Sequence, residues 1–410
     1  MANKVKLAIL GCGGIARSRH ITGLGLLKQA GLDLCEVVAC CDTVEENARL
    51  AGELVQRLGL GSPRQYSSWE QMLKDRVADA VDVCLPHGLH HVAGIAALEA
   101  GLHVFMEKPY TVSIRTGRAL AEAGDRAKKV LAVGVPHRRM PGQRAVQWAL
   151  NEGRLIGDAR MFFSNYTQYR PSPANLTAAM TWRRDRAMGG GAGIIDSGFH
   201  FLDTIRYFYG ECEQVYAELR SPTPGRDGIL SDRENTAVVT FSFANGVVGT
   251  WCYSFAVPGH ETRNIVIYGS EGSIEDTYYS DRFVVFHMFM GPLELRRPSD
   301  GLYLSHSELQ REYRNALGPE RLQKVYPNGV TDHFAIELWD FLDAVLSSRP
   351  PEVDGWDGLK TLGLVEAIYE SQLTGQAVKI ADILSGKVGE AWQKDIAAYW
   401  AKQEPVGAAR

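Results

Sequence analysis

The sequence predicts an α/β protein, with a doubly wound parallel sheet in its first third and a second region rich in strands. Two patterns carry that prediction. From Val5 to Val135, strand-like runs alternate with helix-like runs, the pattern of a parallel sheet covered by helices on both faces. From Gly157 onward, short β-rich segments follow one another and Asn245-Gly246 separates two of them, a strong hairpin signal. At 410 residues the chain is long enough for two domains, each with its own core.

The first element is the apolar run of residues 5 to 10, followed at once by Gly11-Cys12-Gly13-Gly14-Ile15-Ala16 and a helix pattern carrying Leu24, Leu26 and Leu27. A strand, a glycine turn and a helix in that order form the phosphate cradle of Rossmann folds, because glycines let the backbone approach a pyrophosphate and helix N-terminal amides face it. Ala16 stands where the third glycine of GxGxxG falls, a position that tolerates Ala. A second strand, Glu36 to Cys41, ends in Asp42, somewhat beyond the roughly 20 residues expected for the acid that binds ribose hydroxyls. Thr43, Val44, Glu45 and Glu46 bring no cation to pair a 2′-phosphate, so NAD is expected over NADP. Asp42 is also compatible with a helix N-cap.

The alternation continues with strand Ala80 to Leu85, helix His91 to Ala100, strand His103 to Met106, helix Ile114 to Ala127 and strand Lys129 to Val135. Ligands of such sheets lie at the carboxyl ends of the strands, which here carry Pro86 and His87, then Glu107-Lys108-Pro109-Tyr110, then His137-Arg138-Arg139. Lys108, preceding a proline, is expected to be extended and aimed out of the sheet edge. His87, His90 and His91 have no Cys or acid at ligand spacing. A structural or cofactor-lining role is expected for them, and no metal site.

A formal charge of −4 argues against nucleic-acid or anionic-membrane partners. Seven cysteines, odd in number and without a CxxC pair, read as reduced thiols. No apolar stretch approaches the ~18 residues of a membrane span, and a cytoplasmic protein is expected.

The stretch Gly189 to Asp203, GGGAGIIDSGFHFLD, predicts a helix starting near the last glycines, because Ile194, Ile195, Phe199, Leu202 and Ile205 recur at helical spacing. Asp196, His200 and Asp203 then share one face. An acid one turn before an imidazole suits proton transfer near neutrality. Strands are expected over Gly157 to Tyr169, Glu213 to Arg220, Asn235 to Phe243, Val247 to Phe255, Arg263 to Tyr268 and Phe283 to Phe289. Trp251, Tyr253 and Phe255 give one strand an aromatic face, for the core or for another subunit. Tyr166, Tyr169, Trp182, Arg183 and Arg184 offer aromatics and arginines suited to a polyhydroxylated ligand. Helices about Asp332 to Leu346 and Gly358 to Thr374 are amphipathic. The polar, Arg-rich segment 300 to 330 reads as a lid, an oligomer arm or a mobile insertion. Trp392, Tyr399 and Trp400 suggest a terminal helix docking on a neighbouring subunit.

GCGGIA, EKPY and GGGAGIIDSGFHFLD, in that order, resemble the glucose-fructose oxidoreductase, inositol dehydrogenase and MocA (Gfo/Idh/MocA) family from about Val5 to about Ile380. The resemblance implies an NAD-binding Rossmann domain over 1–137 and a substrate and oligomerisation domain over 138–380, with an open-faced, mostly antiparallel sheet and late helices packing back on the first domain. It leaves 381–410 as an extension and implies an active site between the domains. It carries Lys108 of the EKP motif, Asp196 and His200 over as catalytic residues. The cofactor is expected on Gly11, Gly13, Gly14, Ile15, Ala16, Asp42, Leu85, Pro86, His87, His90, Glu107, Lys108 and Arg138. Substrate is expected on Lys108, Tyr166, Trp182, Arg183, Asp196 and His200. His87 stands where the family typically has an asparagine near the nicotinamide.

The implied activity is NAD-dependent oxidation of a secondary hydroxyl on a sugar, inositol or glycoside by a homo-oligomer, dimer or tetramer. Lys108 and His200 both remain candidates for taking the proton, with Asp196 orienting substrate or His200. A redox-assisted glycosidase using bound NAD and a non-catalytic nucleotide-sensing regulator are the alternatives. The intact Lys108, Asp196 and His200 argue against the regulator.

Overall fold

The structure is a computed structural model that describes residues 4–168, 181–183, 185–221, 234–259, 261–276 and 293–401. It divides into two compact units, one of residues 1–140 with 319–360 and the other of 141–318 with 361–410.

The first unit holds a six-stranded sheet of β1 (Val5–Leu10), β2 (Cys35–Cys41), β3 (Arg64–Tyr66), β4 (Ala80–Val83), β5 (His103–Glu107) and β6 (Leu131–Gly134). Their order is β3-β2-β1-β4-β5-β6, and every pair is parallel. The strand order reverses between β1 and β4, where a crevice opens at the carboxyl ends. β4 and β6 are buried at every position, so β6 reads as an unbroken apolar run and β4 as one broken only by Asp82. Helix Glu45–Arg57 and β3, outside the sequence prediction, extend the sheet beyond β2. β3 has three residues, two of them exposed, too few for a periodic signal.

Helix His333–Ser347, from late in the chain, packs into this unit. Its Ala335, Leu338, Phe341 and Leu342 join Val5, Leu7 and Ile9 of β1 in one apolar cluster. Asp332 caps it, its side chain accepting the Ala335 amide at 2.8 Å.

The second unit is built on a nine-stranded sheet: β7 (Ala159–Thr167), β8 (Cys212–Arg220), β9 (Thr236–Phe243), β10 (Val248–Ser254), β11 (Thr262–Gly269), β12 (Ser273–Asp276), β13 (Leu293–Arg297), β14 (Leu302–Leu304) and β15 (Val378–Lys379). The order is β14-β13-β12-β11-β7-β10-β9-β8-β15, antiparallel except for β7 beside β10. Asn245-Gly246 makes the expected hairpin between β9 and β10, with Gly246 at φ 85°. Alternate residues face helix Gly198–Tyr209. Phe162, Phe241 and Trp251 are buried, and Phe201 of the helix lies 4.6 Å from the Trp251 ring. The aromatic face of β10 therefore belongs to the core. The opposite face exposes Phe163, Tyr216, Val238, Val248 and Tyr268.

Two late segments take these forms. Segment 300–330, expected as a lid, an oligomer arm or a mobile insertion, contains β14 and helix His306–Val325, kinked at Gly318-Pro319. Leu309, Tyr313 and Leu317, spaced by four, form a buried stripe hidden in the polar composition, and Tyr313 lies against Trp148. After Ile380, Trp392 and Trp400 sit on helix Glu390–Ala401 and pack onto their own unit. Trp392 stacks on Tyr369 at 3.9 Å, and the indole of buried Trp400 donates to the Ala187 carbonyl. Tyr399, on the same helix, is exposed. The strand expected at Phe283 to Phe289 lies outside the described residues, as do Tyr169 and Arg184.

Candidate active site

In the first unit the glycine loop leaves β1 at the switch point. Gly11 has φ 85°, and a Cβ on it would fall 2.4 Å from the Cys84 carbonyl oxygen, so close approach of the loop to the end of β4 requires glycine. Gly13 and Gly14 have no neighbouring atom within 4 Å of a built Cβ, leaving the backbone open to a ligand. Ile15 is exposed and Ala16 fully buried. The helix that follows begins as a π-helix over Ala16–Ile21 before continuing as an α-helix over Thr22–Gln29.

Asp42 accepts the Cys12 amide at 2.9 Å and the Val44 amide at 2.9 Å. It thereby ties the end of β2 to the glycine loop. The helix N-cap is Val44, not Asp42, whose carboxylate instead makes an Asx turn onto that residue. Asn47 also donates to Asp42 and receives a hydrogen bond from Arg17 at 3.0 Å. Arg17 thus brings a cation near Asp42 from the glycine-loop helix, which reading along Thr43 to Glu46 could not find.

At the end of β4, Leu85 and Pro86 lead into a 3₁₀ turn, His87–Leu89. His90 is fully buried, with its ring nitrogens 2.9 Å from the carbonyls of Leu85 and Pro109. It ties the end of β4 to the turn after β5 from beneath. Glu107 closes β5 and is buried, Lys108 follows it half-buried, and the Lys108–Pro109 peptide is cis. Arg138 is buried in the turn after β6.

Beneath these strand ends lies a buried charge cluster outside the sequence expectations. His20 Nδ1 sits 2.9 Å from Asp82, its Nε2 is 3.6 Å from Glu107, and Cys84 Sγ is 3.4 Å from the same ring. Burial alone would depress the His20 pKa. The Asp82 carboxylate more than reverses this, and the imidazole titrates well above its ordinary value. Arg139 lies 3.3 Å from Asp340 and 3.8 Å from Glu337, a carboxyl that burial pushes well up despite Arg139. The available signal was Asp82, a charge inside an otherwise apolar strand that demanded a partner.

In the second unit, the glycine stretch does not enter a helix directly. Residues 191–197 form turns, and the helix begins at Gly198. Asp196 therefore precedes the helix that carries His200 and Asp203. Asp203 is 1% exposed, and its carboxylate accepts from Thr361. Ahead of that helix, Glu234 accepts the Ile194 amide at 2.9 Å, a contact that spacing along the stretch could not reveal. Asp196 pairs with Arg183 at 3.2 Å, and the Arg183 guanidinium lies 4.4 Å from the Trp182 ring. These three predicted residues meet. His200 is half-buried in the first turn of its helix. Tyr166 is 3% exposed, its hydroxyl accepting from Gln168 at 2.7 Å and Arg263 lying over its ring.

Comparison with known proteins gives the same ordering of parts. Residues 5–135 match a family described as oxidoreductase family, NAD-binding Rossmann fold, and residues 144–275 match the GFO/IDH/MocA C-terminal domain. The chain is 27% identical over 376 residues to 1,5-anhydro-D-fructose reductase of Ensifer adhaerens, covering 91% of this chain and 97% of that protein. It is 27% identical over 363 residues to D-xylose 1-dehydrogenase (NADP(+)) 2 of Haloferax volcanii, covering 87% and 99%. Among solved structures, levoglucosan dehydrogenase in complex with NADH and levoglucosan superposes with a TM-score of 0.72 at 23% identity, covering 92% of this chain and all of that one.

The His20–Asp82 pair makes a signed pH prediction. Because the folded-state pKa of His20 is raised, its contribution to stability is fully present below the unfolded value near 6.5 and is lost as pH rises through the raised value. Urea unfolding of the wild type and of His20→Gln, compared across that range, should differ most at the acidic end. A difference between the two that does not change with pH would remove His20 as the titrating group.

Proposed function

This chain belongs to the Gfo/Idh/MocA family of oxidoreductases, and we propose that within it the protein oxidises a secondary hydroxyl of a sugar, inositol or related polyol, with NAD as hydride acceptor. The observation that carries this reading is the coexistence in one chain of the open glycine loop with Asp42 at its edge and of the Lys108, Asp196 and His200 set. The names of the relatives, a sugar dehydrogenase and an anhydrosugar reductase among them, support the substrate class.

The backbone at Gly13 and Gly14 would receive the pyrophosphate, and the remaining acceptor site on Asp42 Oδ1 would take an adenosine ribose hydroxyl. Leu85, Pro86, His87, Glu107 and Arg138 would line or support the same site, with His90 bracing it. When bound, the nicotinamide supplies the acceptor for the hydride leaving the carbinol carbon. His200 takes the hydroxyl proton as general base, and Lys108 hydrogen-bonds the same oxygen and favours its alkoxide character. Asp196, steered by Arg183, orients the substrate, and Trp182 offers an apolar face to its ring. NAD is preferred over NADP in this reading because Asp42, Glu45 and Glu46 would repel a 2′-phosphate, with Arg17 the nearby opposing cation.

We further propose that the exposed face of the second sheet, with Phe163, Tyr216, Val238, Val248 and Tyr268, pairs copies of the chain into a dimer or tetramer. Val238→Glu with Val248→Glu should lower the mass measured by light scattering while NAD binding persists. A mass equal to that of the wild type would remove this face from the interface.

Replacing Asp42 with Ala should weaken NAD by about 1.5–3 kcal/mol and narrow the gap to NADP, read by nicotinamide fluorescence titration. Tighter binding of NADP than NAD by the wild type would overturn the cofactor assignment.

Turnover tests the reaction itself, with a screen of sugars, inositols and glycosides read by NADH absorbance. His200→Ala should keep NAD affinity and lose about 10²–10⁴ in kcat, and Lys108→Met a comparable factor. The double variant should lose less than the product of the two, because both groups act on one oxygen. Near-wild-type turnover of His200→Ala at saturation would sink this mechanism.

A further inference from the structure

The second unit contains a buried acid that no motif singles out. Glu234 stands just before β9 and is 6% exposed. Its neighbour Asn235 is locked into the sheet on both sides, its amide donating to the Arg220 carbonyl at 3.0 Å and its carbonyl accepting from the Phe255 amide at 2.8 Å. Glu234 is therefore fixed to a rigid edge of three strands rather than to a free loop.

From that edge its Oε1 accepts the Ile194 amide at 2.9 Å and the Tyr369 hydroxyl at 3.0 Å, with the Tyr253 hydroxyl at 3.5 Å. Both tyrosines press against the glycine stretch. A Cβ on Gly191 would lie 2.2 Å from the Tyr369 hydroxyl oxygen, and one on Gly193 would lie 2.6 Å from that of Tyr253. One oxygen atom thus gathers a backbone amide of the loop and the two phenols that bracket it. Asp196 follows Ile194 by two residues, and the helix bearing His200 starts two residues later. Burial pushes the Glu234 carboxyl above its ordinary range while its hydrogen bonds pull the other way. An acceptor at Oε1 is what these contacts use, and the carbonyl oxygen of a glutamine can accept in the same place.

We propose that Glu234 is a positioning residue for the reaction: with Tyr369 and Tyr253 it holds the glycine stretch so that Asp196 and the first turn of the His200 helix are presented in one fixed geometry. The inference rests on the catalytic reading of Asp196 and His200. Its reason is that small displacements of an acid/base group are costly. The loop, rich in glycine, has little stiffness of its own.

The test compares Glu234→Ala and Glu234→Gln in the full-length enzyme by two measurements. In hydrogen exchange, Glu234→Ala should strip protection from the Ile194 amide while amides within β9 and β10 stay protected, and Glu234→Gln should retain it. In NAD-dependent oxidation of the alcohol that the wild type turns over fastest, with levoglucosan and myo-inositol among the probes, Glu234→Ala should lose about 10²-fold in kcat, the usual cost of misplacing a reacting group. Its Kd for NAD should stay unchanged, and Glu234→Gln should recover most of the turnover. Unchanged Ile194 protection in Glu234→Ala overturns the anchor. Wild-type kcat in a folded Glu234→Ala, or a Glu234→Gln as impaired as the alanine variant, overturns the positioning role. Because His200→Ala is measured alongside, an active His200→Ala marks a failure of the catalytic reading. An impaired His200→Ala beside an active Glu234→Ala marks a failure of this inference alone.

Discussion

The second unit depends on contact between bare Cα atoms and aromatic groups. Gly191, Gly193 and Gly198 sit where any side chain would collide with Tyr369, Tyr253 or the Trp251 ring. Removing the side chains lets the loop lie directly against Trp251 and Tyr253 of the sheet and Tyr369 of helix Gly355–Thr374, with Glu234 accepting from both tyrosines. Trp251 stacks on Tyr253 at 5.1 Å and packs on Phe201, while Tyr369 stacks on Trp392 with Arg186 over its far face. The terminal helix, the core of the sheet and the loop bearing Asp196 therefore share one packing surface. A glycine-rich stretch is a poor structural element by itself, since it loses the most conformational freedom on ordering. Here the surrounding rings and one buried carboxyl oxygen supply the definition that the stretch lacks.

The first unit solves a different problem, that of holding polar strand ends over a dry sheet. Asp82, Glu107 and Glu337 are buried carboxyls, opposed by His20 and Arg139. Buried charges of this kind contribute little net stability compared with an apolar core, and breaking one partner is costly. Asp82 lies within β4, Glu107 closes β5 and Glu337 lies on the His333–Ser347 helix. The cluster links the glycine-loop helix through His20, the Glu107-Lys108 strand end and a helix from late in the chain. It orients parts of the chain that are far apart in sequence.

Much of this was legible in the residues themselves. The parallel sheet could be read because burial on both faces makes β6 an unbroken apolar run and β4 one interrupted only by Asp82, and the hairpin because Gly246 must take a positive φ. The glycine loop followed from its order of strand, turn and helix. These are local constraints, in which each residue's type is dictated by its own backbone or by the one environment around it. Tertiary structure decided the rest. An acid forty residues ahead, Glu234, holds the Ile194 amide in the loop before the His200 helix, and Trp392 and Trp400 turn inward because Tyr369 and the Ala187 carbonyl await them. Segment 300–330 is helical because a stripe of three residues, Leu309, Tyr313 and Leu317, finds a partner in Trp148. In each case the deciding atom lies far along the chain. Periodicity reports which face of a segment is apolar, but not which distant donor, acceptor or ring will meet it.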